Sequence, residues 1–114
     1  MLKKPIGITM GDPAGIGPEI LAKLLMSDTK ENLRIFANFT CLEKFSGSNI
    51  NFNDHRLINV KSVHSVNSVK QGIPSAASGG ISFEILEKAV KNCLNGNLSA
   101  LLTCPISKYA WSLA

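Results

Sequence analysis

At 114 residues the chain has room for one compact domain, and 45% hydrophobic with 18% charged residues is a globular balance that argues against disorder. Twelve Lys+Arg against eight Asp+Glu give a formal charge of +4, yet the basic residues are scattered from Lys3 to Lys108 without a run or stripe, so nucleic acid is not an expected partner. Cys41, Cys93 and Cys104 are odd in number and form no C-x-x-C pair, which points to reduced intracellular thiols rather than a disulfide framework or zinc finger.

Residues 5–10, Pro-Ile-Gly-Ile-Thr-Met, read as a first strand buried on both faces. A glycine-rich turn follows at 11–17. Pro18 stands where a helix begins, and Ile20, Leu21, Leu24 and Leu25 recur at helical spacing, predicting a helix over 18–27. Leu33–Ala37 is a second strand and 40–45 a short helix. The stretch 46–75 is the least informative: Leu57–Val60 reads as a strand, and 62–69 as an edge strand or a loop.

From 81 the pattern sharpens. Ile81, Ile85, Leu86, Ala89, Val90, Cys93 and Leu94 form one apolar face, with Glu84–Lys88 and Glu87–Lys91 as i,i+4 pairs on the other. Asn95-Gly96 stops that helix. Ala100–Thr103 is a short buried strand ended by Pro105, and Ser107 caps a last helix running into Ala114. No signal peptide pattern follows Lys3-Lys4, and no apolar run approaches the roughly 20 residues that span a bilayer. A cytoplasmic α/β protein without membrane contact is expected. Its strands alternate with helices, as in a mostly parallel sheet covered by helices.

Chemistry concentrates in two places. Ile8-Thr9-Met10-Gly11-Asp12-Pro13-Ala14-Gly15-Ile16-Gly17-Pro18-Glu19-Ile20 is a strand, a tight turn and a helix start, which in a parallel sheet lies at the ligand-binding carboxyl end. It is no P-loop, since no Gly-Lys-Ser/Thr follows, and no Rossmann fingerprint, since Ile20 stands where a third glycine belongs. Glu19 in the first helical turn suits the helix dipole. Asp12 either contacts a ligand or satisfies its own turn amides, and Gly15 and Gly17 serve geometry, ligand approach or both. The second place is Thr103-Cys104-Pro105-Ile106-Ser107-Lys108. Lys108 is either a solvated helix lysine or a group that holds a phosphate or carboxylate or acts as an acid. Thr103 either positions a ligand or ends a strand. His55 and His64 lack ligand-like spacing and read as surface residues; neither is assigned to a metal. Tyr109 and Trp111 read as packing residues.

Gly11-Asp12-Pro13-Ala14-Gly15-Ile16-Gly17-Pro18-Glu19-Ile20 resembles the N-terminal signature of the 4-hydroxythreonine-4-phosphate dehydrogenase family. It also looks like an expanded form of the Gly-Asp-Gly-Ile-Gly-Pro-Glu turn of isocitrate and isopropylmalate dehydrogenases, which share that fold. Ser78-Gly79-Gly80, read as preceding the helix with Phe83-Glu84, and Thr103-Cys104-Pro105-Ile106-Ser107-Lys108, similar to the family's Thr-x-Pro-x-x-Lys, agree with it. Cys104 departs from the expected Gly or Ala but is small.

The resemblance implies the isocitrate/isopropylmalate-dehydrogenase-like α/β fold, with residues 1–114 as its N-terminal portion, truncated at the C-terminal end. It implies NAD- or NADP-dependent oxidation of 4-phosphooxy-L-threonine followed by decarboxylation, in vitamin B6 biosynthesis, by a homodimer. Lys108 and Thr103 would be catalytic, and Asp12, Gly15 and Gly17 would bind the cofactor. A divalent metal (Zn, Mg or Co) would be held by residues outside this chain, so residues 1–114 alone would be inactive. Two alternatives stay open: a sister dehydrogenase for a four-carbon phosphorylated sugar acid, and a non-catalytic α/β module that binds an anion or a partner.

Overall fold

The computed structural model describes residues 3–114. Four strands, β1 (Ile6–Thr9), β2 (Leu33–Ala37), β3 (Leu57–Asn59) and β4 (Ala100–Thr103), form one sheet in the order β3-β2-β1-β4, and every pairing is parallel. The chain steps outward from β1 to β3, then returns to the far side of β1 to lay down β4. The order therefore reverses between β1 and β4, the kind of crevice where open α/β sheets bind ligands.

The helices are α1 (Gly17–Met26), α2 (Phe39–Phe45), α3 (Ala76–Leu94) and α4 (Lys108–Leu113). α3, the longest, packs over β1, β2 and β4, whereas α1 packs on α2. Leu21, Ile35, Phe36, Leu42, Ile81, Ile85 and Ala89 are fully buried in one cluster. Burying a large apolar side chain contributes about 1.5–3 kcal/mol, so this cluster holds the layers together.

The first strand, second strand and first two helices fall within a residue of their expected positions. α1 starts at Gly17, which leaves Pro18 at its second position, where a missing N–H is equally harmless. Three expectations are corrected. Ser78-Gly79-Gly80 do not precede the helix but lie inside α3, all buried. The helix begins five residues earlier than its apolar face suggests, because Ser75 and Ser78 close a reciprocal capping box. The glycines are places of close approach: a Cβ on Gly80 would overlap the His64 imidazole.

Second, Glu84–Lys88 and Glu87–Lys91 do not close as ion pairs; among the described residues both ion-pair contacts are made by Asp54. Glu84 instead accepts hydrogen bonds from the Ser62 hydroxyl and the Val63 amide, tying the 62–64 turn to α3. That segment is a loop with a single 3-10 turn at Val66–Ser68, not an edge strand. Third, β4 is not buried. It is an edge among the described strands, and Leu102 is 58% exposed.

Candidate functional site

The site is built at the carboxyl ends of β1 and β4, which run side by side with Thr9 aligned to Thr103. The β1 turn leaves the sheet at Met10, whose amide donates to the Phe36 carbonyl, while Cys104 N–H donates to the Thr9 carbonyl. The two turns then meet directly: Asp12 N–H donates to the Pro105 carbonyl at 2.9 Å. Gly11 makes this possible. Its φ of 71° is left-handed backbone, and a Cβ there would overlap Pro105 O and stand 2.6 Å from Cys104 O. Gly17 does the same on the helix side, since its Cβ would overlap the Met10 carbonyl oxygen. Cys104, where Gly or Ala was expected, is buried, and its Cβ lies 3.4 Å from where a Cβ on Gly17 would stand.

Asp12 satisfies its own turn. Its Oδ1 accepts from Ala14 N at 2.9 Å and its carbonyl from Gly15 N at 3.0 Å. Ala14 O in turn accepts from Gly72 N at 2.7 Å, anchoring the far loop. Gly15 differs from its neighbours: it is partly exposed, and a Cβ would meet only Asp12 atoms at 3.5 Å. Of the glycines in the motif, Gly11 and Gly17 are packed backbone against backbone, and Gly15 presents open surface. Ile16, the N-cap of α1, gives no side-chain cap bond.

Thr103 ends β4 and is exposed; Lys108 is exposed as the first residue of α4. Ser107 caps that helix as expected, its hydroxyl accepting from Ala110 N at 3.1 Å. Thus the structure brings Asp12, Gly15, Gly17, Thr103 and Lys108 to one edge of the sheet, on the two turns that flank the reversal of strand order. The Asp12–Pro105 bond joins the two turns backbone to backbone. A cavity of about 330 Å³ opens against the other end of α4, lined by His64, Gly80, Phe83, Glu84 and Trp111.

Sequence reading missed several features. Thr9 is 1% exposed, and its hydroxyl has no hydrogen-bond partner among the described residues. It stands at the end of the central β1, and only the pairing with Thr103 draws attention to it. His64, expected at the surface, is half-buried against α3, while His55 is exposed as expected. Trp111 packs as expected, but Tyr109 is 65% exposed. Burial pushes the Cys104 thiol up and the Cys41 thiol up to about 11, so neither is a ready nucleophile. Among the described residues no three His, Cys, Asp or Glu side chains converge as a metal ion requires. Among the described residues no helix is long and apolar enough to cross a membrane.

Comparison with known proteins gives a consistent result. Residues 17–114 match the family model described as pyridoxal phosphate biosynthetic protein PdxA. The chain is 38% identical over 115 residues to a 4-hydroxythreonine-4-phosphate dehydrogenase of Sulfurihydrogenibium sp., covering 90% of this chain and 36% of that protein. It is 34% identical over 119 residues to the enzyme of the same name from Hydrogenobaculum sp., covering 93% of this chain and 37% of that one. The crystal structure of the Klebsiella pneumoniae enzyme of that name superposes with a TM-score of 0.81 over 98% of this chain and 40% of its own, at 24% identity, and carries the fold. The chain therefore spans little more than a third of the curated relatives it matches. With the family model matched over residues 17–114 and relatives above 30% identical along most of its length, the chain belongs to the PdxA family.

Proposed function

We propose that this chain forms the N-terminal portion of a dehydrogenase that oxidises 4-phosphooxy-L-threonine with NAD or NADP, followed by loss of CO2, in pyridoxal phosphate biosynthesis. The carrying observation is the meeting of the two motif turns, Asp12 N–H on Pro105 O at 2.9 Å, at the reversal of strand order. The relatives' name supports the substrate.

Lys108 is exposed at this edge and carries a compact positive charge on a flexible stem. That suits it to hold the substrate's phosphate or carboxylate, or to move a proton at the reacting oxygen. The Thr103 hydroxyl, able to donate and accept, orients the substrate beside it. A bound nicotinamide supplies the two-electron oxidant. Asp12 and Gly15 hold it from the β1 turn, while Gly17 sets the turn's shape. Among the described residues no donor set for a divalent metal converges; such a metal would be held by residues outside this chain. The whole protein acts as a homodimer in the cytoplasm.

The test is made on the whole protein that carries this chain. Purified enzyme is expected to reduce NAD or NADP, read at 340 nm, with 4-phosphooxy-L-threonine in preference to phosphorylated four-carbon sugar acids. Lys108→Ala is expected to lower kcat/KM about tenfold to a thousandfold, the range for a charge-assisted contact made in the transition state. Preference for the sugar acids would move the substrate assignment, and wild-type kinetics in the variant would remove Lys108 from the site.

A further inference from the structure

α4 is six residues long, too short to hold its shape or position alone. What fixes it is α3. The Ala110 carbonyl lies where a Cβ on Gly79 would stand, and Trp111 N is 2.8 Å from the same point. Ala110 is 1% exposed. One residue further on, Trp111 Nε1 donates to Ser82 Oγ at 3.2 Å, and the indole meets the Phe83 ring edge-on with centroids 5.7 Å apart. Gly79, Ser82 and Phe83 are successive points along the first turns of α3, whose own start is locked by the Ser75–Ser78 box. The backbone of one helix is thus seated in a notch on the other, with Lys108 at the N-terminal end of the seated helix.

We infer that Gly79 is a positioning residue for Lys108: its missing side chain sets how closely α4 lies on α3, and so where the Lys108 ammonium stands at the site. This rests on the reading of Lys108 given above. A methyl group at position 79 would coincide with the Ala110 carbonyl, and neither partner is a flexible side-chain end that can swing away. α4 must retreat on the order of 1 Å, and a misplacement of that size can cost about a hundredfold in rate. Nothing in the local helix requires glycine here. Alanine is the better helix former by about 1 kcal/mol, so a glycine in the interior of a 19-residue helix has its reason in what packs against it.

The experiment is a double-mutant cycle on the whole enzyme, comparing wild type, Gly79→Ala, Lys108→Ala and the double variant, with kcat and KM measured separately. Gly79→Ala is expected to lower kcat/KM about tenfold to a hundredfold, mostly in kcat, and to add less than about twofold in the Lys108→Ala background. A general weakening of the fold would instead act equally in both backgrounds. Should Gly79→Ala fail to fold, Trp111→Phe takes its place: it keeps an aromatic ring beside Phe83 but loses the fused five-membered ring and its bond to Ser82. It is expected to cost several-fold in the wild type and nothing further beside Lys108→Ala. Additive losses, or wild-type kinetics in whichever of these variants folds, overturn the inference while leaving the Lys108 assignment intact. Wild-type kinetics in Lys108→Ala remove both.

Discussion

Two neighbouring strands of this sheet pass into helices at the same edge, and they do so by different physics. After β2 the turn is a single residue. Asn38 Oδ1 accepts from Cys41 N at 3.0 Å, capping α2, and its Nδ2 donates to the buried Val60 carbonyl at 3.1 Å. One side chain satisfies the helix start and ties in the next loop. After β1 the turn runs from Met10 to Ile16, its helix has no side-chain cap, and it is held by close approach of backbone to backbone. The short turn satisfies itself and is a connector. The long turn reaches the Thr-x-Pro turn of β4 through close backbone approach at Gly11, and Gly17 at the start of α1 lets the helix lie against Met10.

Gly17→Ala sets a methyl group on the Met10 carbonyl and is expected to destabilise by about 3 kcal/mol or more, the upper range for overpacking. Denaturant unfolding of the variant measures it, and a loss under about 1 kcal/mol would show the turn to be soft. Asn38→Ala removes a cap and leaves a buried carbonyl without its donor, an expected cost of about 2 kcal/mol by the same measurement.

The loop entering β3 supplies a third contrast, held by charge. Arg56 donates to Asp54 at 2.7 Å and to the Leu25 carbonyl at the end of α1. The Arg56 hydrogen bond holds the Asp54 carboxyl down at about 2, below its usual 3.8. A depressed carboxyl stabilises the fold fully above its unfolded value and loses that contribution as pH falls through its folded one. About 1 kcal/mol, discounted for solvent screening, is therefore expected to disappear between roughly pH 4 and pH 2. Arg56→Ala should flatten that part of the pH–stability curve, and an unchanged slope would refute the assignment. The smallest effect is expected at Gly15→Ala, where a Cβ meets only ordinary contacts: within about 0.5 kcal/mol in stability. Weaker binding of NAD or NADP, measured by titration of the whole protein, would separate Gly15 from Gly17 as a surface for ligand.

Elements with strong periodicity were legible because local spacing determines them: β1, α1, β2 and the core face of α3 at Ile81, Ile85 and Ala89. Ser107 was readable as a cap because its bond is local. The start of α3 was not, because glycines at 79 and 80 read as helix breakers until Ala110 and His64 are seen against them. Glu84 has a good i,i+4 partner on paper, and its choice of Ser62 depends on a loop 22 residues away. β4 looks like a doubly covered strand by its apolar run, yet its position in the sheet order decides its exposure. The candidate residues could be named from motifs, but their convergence rests on β1 lying beside β4, which no local pattern reports.

That adjacency has a consequence for synthesis. Ile6 pairs with Leu33 on one side and with Ala100 on the other, and Ser99 N–H reaches Pro5 O, a hydroxyl-supported contact spanning 94 residues. Loop closure over that distance costs more entropy than the β1–β2 pairing and must precede its own reward. A chain emerging from the ribosome can pair β1 with β2 early, but β1 keeps one edge unpaired until β4 has cleared the exit tunnel. Until then that free edge of β1 is an open template for other strands. The meeting of the two turns and the closing of that β1 edge wait on the same late event.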